Sequence, residues 1–167
     1  ATSELHYAAS VASDGNTQIW VKSGTYYGDS KDDKGAFCIY PRNRIYGGFS
    51  GNESHEFDID NRDIDANPTI LDGENQRRVI NQQDHFGSSA FSIWDGFTIQ
   101  NGSAGSGGGA YLCSNSYFYN CSFINNTSNG QGGAIYSVTP LNDHSKNIIE
   151  NCIFENNDAY YGGAIHN

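Results

Sequence analysis

The chain has 167 residues and a formal net charge of −10, with 9 basic side chains against 19 acidic ones. That balance excludes a nucleic-acid binder, which needs clustered Lys and Arg against phosphate, and no apolar run approaches the ~20 residues of a membrane helix. Gly is abundant at 20 residues and Pro scarce at 3, helix-type apolar periodicity is missing, and short runs of Ile, Phe, Tyr and Val between Gly, Asn, Asp and Ser predict an all-β protein.

Taken in order, residues 1–18 are polar, with a turn at Asp14-Gly15-Asn16. Ile19-Trp20-Val21 is the first strand, and residues 23–28 follow it. Residues 29–35 form a charged loop. Strands are expected over 36–40 and 44–49, with a turn at Pro41-Arg42-Asn43 between them. Residues 50–67 are the longest irregular segment. Thr69-Ile70-Leu71 resumes the strands, Asp72-Gly73-Glu74-Asn75 turns, and 78–80 and 90–93 are further strands. No linker interrupts the chain. It reads as one domain over 1–167, with an irregular lead-in over 1–93 and regular coils over 94–167.

The regular part repeats two phrases. Gly107-Gly108-Gly109-Ala110-Tyr111 returns as Gly132-Gly133-Ala134-Ile135-Tyr136 and as Gly162-Gly163-Ala164-Ile165-His166. Asn120-Cys121-Ser122-Phe123-Ile124-Asn125-Asn126 returns as Asn151-Cys152-Ile153-Phe154-Glu155-Asn156-Asn157, with a forerunner at Gly96-Phe97-Thr98-Ile99-Gln100-Asn101. The first phrase steps by 24 and 30 residues, the second by 24 and 31. Two phrases sharing one uneven rhythm mean a solenoid. Each coil offers about three short strands, and stacking coils buries what one coil cannot. Alternation along each strand sets Phe97, Cys121 and Cys152 in one inward column and Ile99, Phe123 and Phe154 in another. Asn101, Asn125 and Asn156 fall where a left-handed bend is needed, and their amides are expected to bond coil to coil as a ladder. The Gly-Gly pairs serve another bend. The longer second step predicts an outgrown loop over 138–147.

The paired phrases, Gly-Gly-Ala-Ile and Phe123-Ile124-Asn125-Asn126 with Phe154-Glu155-Asn156-Asn157, resemble the repeat pair of the polymorphic outer-membrane proteins. More widely the chain is similar to secreted bacterial right-handed parallel β-helix proteins of the pectate-lyase-like superfamily. The lead-in is similar too, at residues 19–26, 45–49 and 69–73. The resemblance implies a right-handed, single-stranded parallel β-helix with coils of about 24–31 residues, export, and an extracellular or cell-surface location. It implies no reaction, because the fold carries lyases, hydrolases, adhesins and fibres alike. The family's surface proteins have many more coils and a C-terminal anchoring or secretion module, which this sequence does not show.

For chemistry, the acidic run 56–65 is the metal candidate. Asp58, Asp60, Asp63 and Asp65 offer hard oxygens that suit Ca²⁺, although neither the glycine nor the glutamate of an EF-hand loop is in place. A lyase of this fold needs a base beside an acidic cluster, and Arg62, Arg77, Arg78 and Lys22 are the available cations. Glycoside hydrolysis needs two facing carboxylates, and nothing selects a pair among Asp72, Glu74, Asp84 and Asp95. His85, His144 and His166 are isolated and read as solvated. Cys121 and Cys152 read as a stacked apolar ladder in preference to a disulfide, with Cys113–Cys121 as the runner-up pair in an oxidising compartment. Tyr111, Tyr117, Tyr119, Tyr136, Tyr160 and Tyr161 offer a stacking surface for glycans or proteins, in competition with packing. Sequons begin at Asn52, Asn101, Asn120, Asn125 and Asn126, and those on the ladder are expected to be occluded.

The favoured reading is a non-enzymatic structural or adhesive β-helix. The alternative is the N-terminal part of a polysaccharide lyase or another carbohydrate-active enzyme. Because the sequence stops just after a core repeat, end-to-end association into a fibre is expected. It would join Gly162, Gly163, Ala164 and Ile165 of one copy to Ile19, Trp20 and Val21 of the next. A neighbouring surface protein is the other partner that would fit.

Overall fold

The computed structural model describes residues 18–28, 37–39, 43–54, 59–82, 91–113, 115–138 and 146–167. The expected turn at 14–16 and most of the 138–147 outgrowth lie outside these residues, as do Asp58, Asp84, His85 and His144.

The described strands wind through five coils. The first holds β1 (Gln18–Lys22), β2 (Gly24–Tyr27) and β3 (Phe37–Ile39), and the second β4 (Arg44–Phe49), β5 (Thr69–Asp72) and β6 (Ile80–Gln82). From the third coil a fourth strand appears: β7 (Phe91–Asp95), β8 (Phe97–Gln100), β9 (Ser103–Ala104) and β10 (Ala110–Leu112). The fourth coil repeats this plan with β11 (Asn115–Tyr119), β12 (Ser122–Ile124), β13 (Thr127–Gln131) and β14 (Ile135–Ser137). So does the fifth, with β15 (Ile148–Glu150), β16 (Ile153–Glu155), β17 (Asp158–Tyr161) and β18 (Ile165–His166).

Like strands stack on like. Sheet A runs β1-β4-β7-β11-β15, sheet B β2-β5-β8-β12-β16, sheet C β3-β6-β10-β14-β18, and the short sheet D β9-β13-β17. Neighbours are parallel, as in β4 on β7, β8 on β12, β10 on β14 and β13 on β17. This is a parallel β-helix. Its steps reproduce the uneven rhythm of the sequence. Thr98 pairs with Ser122, 24 residues on, and Ser122 with Ile153, 31 residues on. The second coil is longer than any repeat in the sequence. Arg44 pairs with Ile93, 49 residues on, because the segment between β4 and β5 leaves the coil altogether. The strand expected at 78–80 begins only at Ile80, since residues 73–79 are still leaving the turn after β5.

The core is a set of aligned columns. In sheet B, Leu71, Ile99, Phe123 and Phe154 occupy one register position, and the Phe123 and Phe154 rings stack 5.1 Å apart and 3° from parallel. In sheet A, Ile45, Trp94, Phe118 and Ile149 do the same. Sheet C contributes Phe37, Ile80, Ala110 and Ile135. Most of these side chains are fully buried, and each fully buried Leu, Ile or Phe among them contributes about 1.5–3 kcal/mol by leaving water. Phe97 and Cys121 belong to the same core, with Cys152 packed against it.

The bends are where backbone chemistry decides. Asn101, Asn125 and Asn156 have φ of 53°, 55° and 52°, a left-handed conformation that Asn tolerates better than most residues. The amide ladder, however, does not run through them. The bend turns Asn125 and Asn156 out to solvent, so the sequon asparagine at 125 is exposed rather than occluded. Of the three side chains, Asn101 alone bonds the coil below, donating to Asp72 Oδ2 at 3.0 Å; in the fourth and fifth coils the coil-to-coil bonds belong to the next residue. Asn126, fully buried, donates to Ile99 O and to Asn157 Oδ1, each at 3.0 Å, and accepts from Gly102 N at 2.9 Å. Asn157 repeats the pattern by donating to Phe123 O at 2.8 Å. A second left-handed column, Gly96, Asn120 and Asn151, turns the chain from sheet A into sheet B. At the third bend Gly107, Gly132 and Gly162 have φ of 62°, 61° and 61°. A Cβ on Gly132 would collide with the Ile135 carbonyl oxygen.

Candidate functional site

The segment that leaves the second coil shapes a groove on the surface. After β4 the chain makes a 3-10 turn at Ile59–Asn61 and returns to β5, so that residues 59–68 overhang the corner between sheets A and B. Arg62 tethers the overhang. Its guanidinium donates to Gly47 O at 2.8 Å, Asp95 Oδ2 at 2.9 Å, Asp95 O at 3.3 Å and Ile59 O at 2.8 Å. Its charge also lies over the Tyr46 and Phe49 rings, 5.1 and 5.6 Å from their centroids. Burial raises the Tyr46 hydroxyl above its ordinary pKa.

Ile64 is the second anchor, seated on glycines. A Cβ on Gly48 would stand 2.9 Å from Ile64 Cγ1, and one on Gly96 would stand 3.1 Å from Ile64 Cδ1. Both glycines also have positive φ, 87° and 81°. In the next two coils the place of Gly96 is taken by Asn120 and Asn151, where no overhang presses. Asn120 donates to Asp95 Oδ1 at 2.8 Å, and Asn151 in turn bonds Asn120 Oδ1, so a polar chain climbs the corner from the tether.

Beside the overhang lies an open groove of about 780 Å³. Asp63, Ile64, Asp65 and Pro68 line it from the overhang, Thr98, Ser122 and Ile153 from sheet B, and Asn120, Cys121, Asn151 and Cys152 from the corner. Its size falls within the ~300–1,000 Å³ of small-ligand sites. Asp63 Oδ1 accepts from Ala66 N at 2.9 Å, closing a local turn, while Asp60 and Asp65 are exposed. Among the described residues no three His, Cys, Asp or Glu side chains converge on one point; Asp58 lies outside them.

The arginines considered for proton abstraction are committed elsewhere. Arg62 serves the tether. Arg78 is buried, donates to Gly107 O at 3.0 Å and Ser106 O at 2.7 Å, and lies under the Tyr111 ring at 4.7 Å. Arg77, also buried, donates to Gly28 O at 2.6 Å and pairs with Glu74 at 2.7 Å. Lys22 lies with its aliphatic stem against Gly51. Asp72, Glu74 and Asp95 are likewise engaged. Asp72 accepts from Gln100 at 2.8 Å, Asn101 at 3.0 Å and Glu74 N at 2.7 Å, and Asp95 accepts from Arg62 and Asn120.

A second surface feature runs along the outside of sheet C. Register aligns Tyr111, Tyr136 and His166. Their rings lie 5.4 and 5.7 Å apart in succession, and Tyr161 approaches His166 at 6.5 Å and Tyr160 at 4.6 Å. His166 is therefore part of an aromatic run rather than isolated, because β18 pairs it with Tyr136. Of the six tyrosines, Tyr160 and Tyr161 stand exposed at 77% and 56%, and Tyr111, Tyr117, Tyr119 and Tyr136 are half-buried. Burial, and then the nearby Cys113 thiol, raise the Tyr111 hydroxyl above its ordinary pKa. The residues considered for self-association lie at opposite ends of the stack. Ile19, Trp20 and Val21 are in β1, with the Trp20 ring stacked on Phe49 at 4.9 Å, and Gly162, Gly163, Ala164 and Ile165 are in the fifth coil.

The Asn126–Asn157 ladder and the glycine seat of Ile64 were not singled out in the sequence. The Asn-Asn doublet shared by the two repeats signals the first. Only the recurrence of Gly at positions 47, 48 and 96 hints at the second.

Among known families, the repeat of the Chlamydia polymorphic membrane protein family matches residues 120–138 and 151–167. The two matches cover β12–β14 and β16–β18, which are the B, D and C strands of the fourth and fifth coils. No curated protein and no solved structure matches the chain.

Proposed function

We propose that this chain is part of an adhesin-like β-helix displayed at a bacterial cell surface, presenting a binding face rather than a catalytic centre. The observation that carries this reading is the coincidence of the polymorphic membrane protein repeat with consecutive coils of a parallel solenoid. A solenoid of this kind extends one surface over many rungs, which suits recognition of long ligands. The Tyr111–Tyr136–His166 run is the face we assign to contact, and an uncharged glycan is its ligand. Aromatic faces stack on the apolar faces of sugar rings, and a net charge of −10 repels uronates and sulfated chains. The engagement of Arg62, Arg77 and Arg78 in structural bonds supports binding over lyase chemistry.

Glycan-array and cell-binding measurements with the labelled chain test this. The expected result is retention on neutral glycans that is lost in the Tyr111→Ala/Tyr136→Ala variant, whose fold is checked by circular dichroism. Release of soluble products from any polysaccharide, with or without Ca²⁺, would overturn it in favour of the carbohydrate-active enzyme.

A further inference from the structure

Cys121 and Cys152 occupy the same place in consecutive coils. Each follows a left-handed asparagine, Asn120 at φ 51° and Asn151 at φ 54°, and each precedes a paired strand position, Ser122 opposite Ile153. Ile153 N donates to Cys121 O at 2.9 Å, which fixes the backbone register across the two cysteines. Adjacent parallel strands lie ~4.8 Å apart, within the ~4.4–6.8 Å between α-carbons that a disulfide spans. The side chains point the same way. Cys121 Sγ donates to Trp94 O at 3.6 Å and Cys152 Sγ to Phe118 O at 3.5 Å, equivalent carbonyls one coil apart.

The other pairing considered, Cys113 with Cys121, fails on distance. Cys113 follows β10 at the corner between sheets C and A, and Cys121 follows β11 at the corner between A and B, so the five-residue strand β11 separates them. At ~3.3 Å per residue that strand alone spans more than a disulfide reaches.

We infer that Cys121 and Cys152 form a reversible redox couple that closes to a disulfide between the fourth and fifth coils. The oxidant is an external disulfide, either a low-molecular-weight one or that of a thiol oxidoreductase. Exposure sets the order of events. Cys152 is half-buried and lines the corner groove, whereas Cys121 is fully buried. The Cys152 thiolate therefore attacks first, forming a mixed disulfide and releasing one thiolate of the oxidant. Cys121 then gives up its proton, attacks Cys152 Sγ and expels the second thiolate. Two electrons leave the cysteine pair, and the two protons they shed convert the oxidant to two thiols. The bond fastens the fifth coil covalently to the fourth.

The test uses the full chain, reduced, desalted and treated with oxidised glutathione, followed by thiol titration and non-reducing peptide mapping. The expected result is a loss of two of the four thiols, one Cys121–Cys152 linked peptide and no retained glutathione. Cys121→Ser is expected to hold a stable glutathione adduct on Cys152, and Cys152→Ser to show neither adduct nor link. The wild-type map is decisive even if a variant fails to fold. Glutathione retained on Cys152 of the wild type, links through Cys38 or Cys113 instead, or all thiols unreacted would each overturn the inference.

Discussion

Replacing Asn126 with Ala tests whether the buried amide ladder holds the coils together. Asn126 is fully buried, and its side chain makes three hydrogen bonds, to Ile99 O, Asn157 Oδ1 and Gly102 N. Truncation leaves the buried Gly102 N–H without its partner, which costs about 1–3 kcal/mol, and removes two further neutral bonds worth about 1 kcal/mol each. The sum is about 3–5 kcal/mol, against a total of ~5–15 kcal/mol for a typical domain. Asn125, one residue earlier, has φ 55° and is exposed. Asn125→Ala therefore loses only left-handed tolerance, about 1–2 kcal/mol, and Asn125→Gly costs almost nothing. Urea unfolding followed by far-ultraviolet circular dichroism measures all three. An Asn125→Ala variant less stable than Asn126→Ala, or an Asn126→Ala loss below about 1 kcal/mol, would refute the assignment of the ladder to position 126.

Gly132→Ala forces a Cβ onto the Ile135 carbonyl at φ 61° and is expected to cost about 3 kcal/mol or more in the same assay. Arg62→Ala strands the Asp95 carboxylate at a largely buried tether, with side-chain exposures of 5% and 15%. A loss of about 3 kcal/mol is expected, together with faster hydrogen exchange confined to residues 59–68, and Arg62→Lys does not rescue it because an ammonium lacks the guanidinium fork. The adjacent Cys121 side chain holds the Cys152 pKa down to about 7. Alkylation of Cys152 should therefore rise through a midpoint near that pH, and Cys121→Ala should move the midpoint upward; coincident profiles would contradict the influence of Cys121 on Cys152. Gly96→Asn keeps a residue that tolerates positive φ but presses on Ile64, so it should cost about 1–2 kcal/mol with Ile64 in place and much less in an Ile64→Ala background. Additive losses would mean that Ile64 is not the reason for the glycine.

The fold was legible because a solenoid writes its core at a fixed spacing. Phe123 recurs as Phe154 and Ile99 because each must meet its own equivalent one rung away, and the structure stacks them in that order. The same logic located the left-handed bends at Asn101, Asn125 and Asn156. It failed for the amides of Asn125 and Asn156. A bend residue and a ladder residue are both Asn in these repeats, and spacing cannot say which side chain the left-handed backbone turns inward. Only the burial of Asn126 against the exposure of Asn125 decides it.

The candidate site was less legible because it sits where the repeat is broken. The groove owes its shape to a segment that occurs in one coil only, so no recurrence announces it. What the sequence held were compensations dispersed along the chain. Gly47-Gly48 looked like an ordinary strand end and Gly96 like a degenerate copy of Asn120, yet Gly48 and Gly96 are bare because Ile64 occupies the space of their side chains. Arg62 looked like a candidate base, yet its partners at Gly47, Ile59 and Asp95 come from three separate stretches of chain. In a solenoid, a departure from the repeat is thus the place to look for chemistry. A coil that spends a glycine where its neighbours spend an asparagine is making room for something, and here the thing is the wall of the groove.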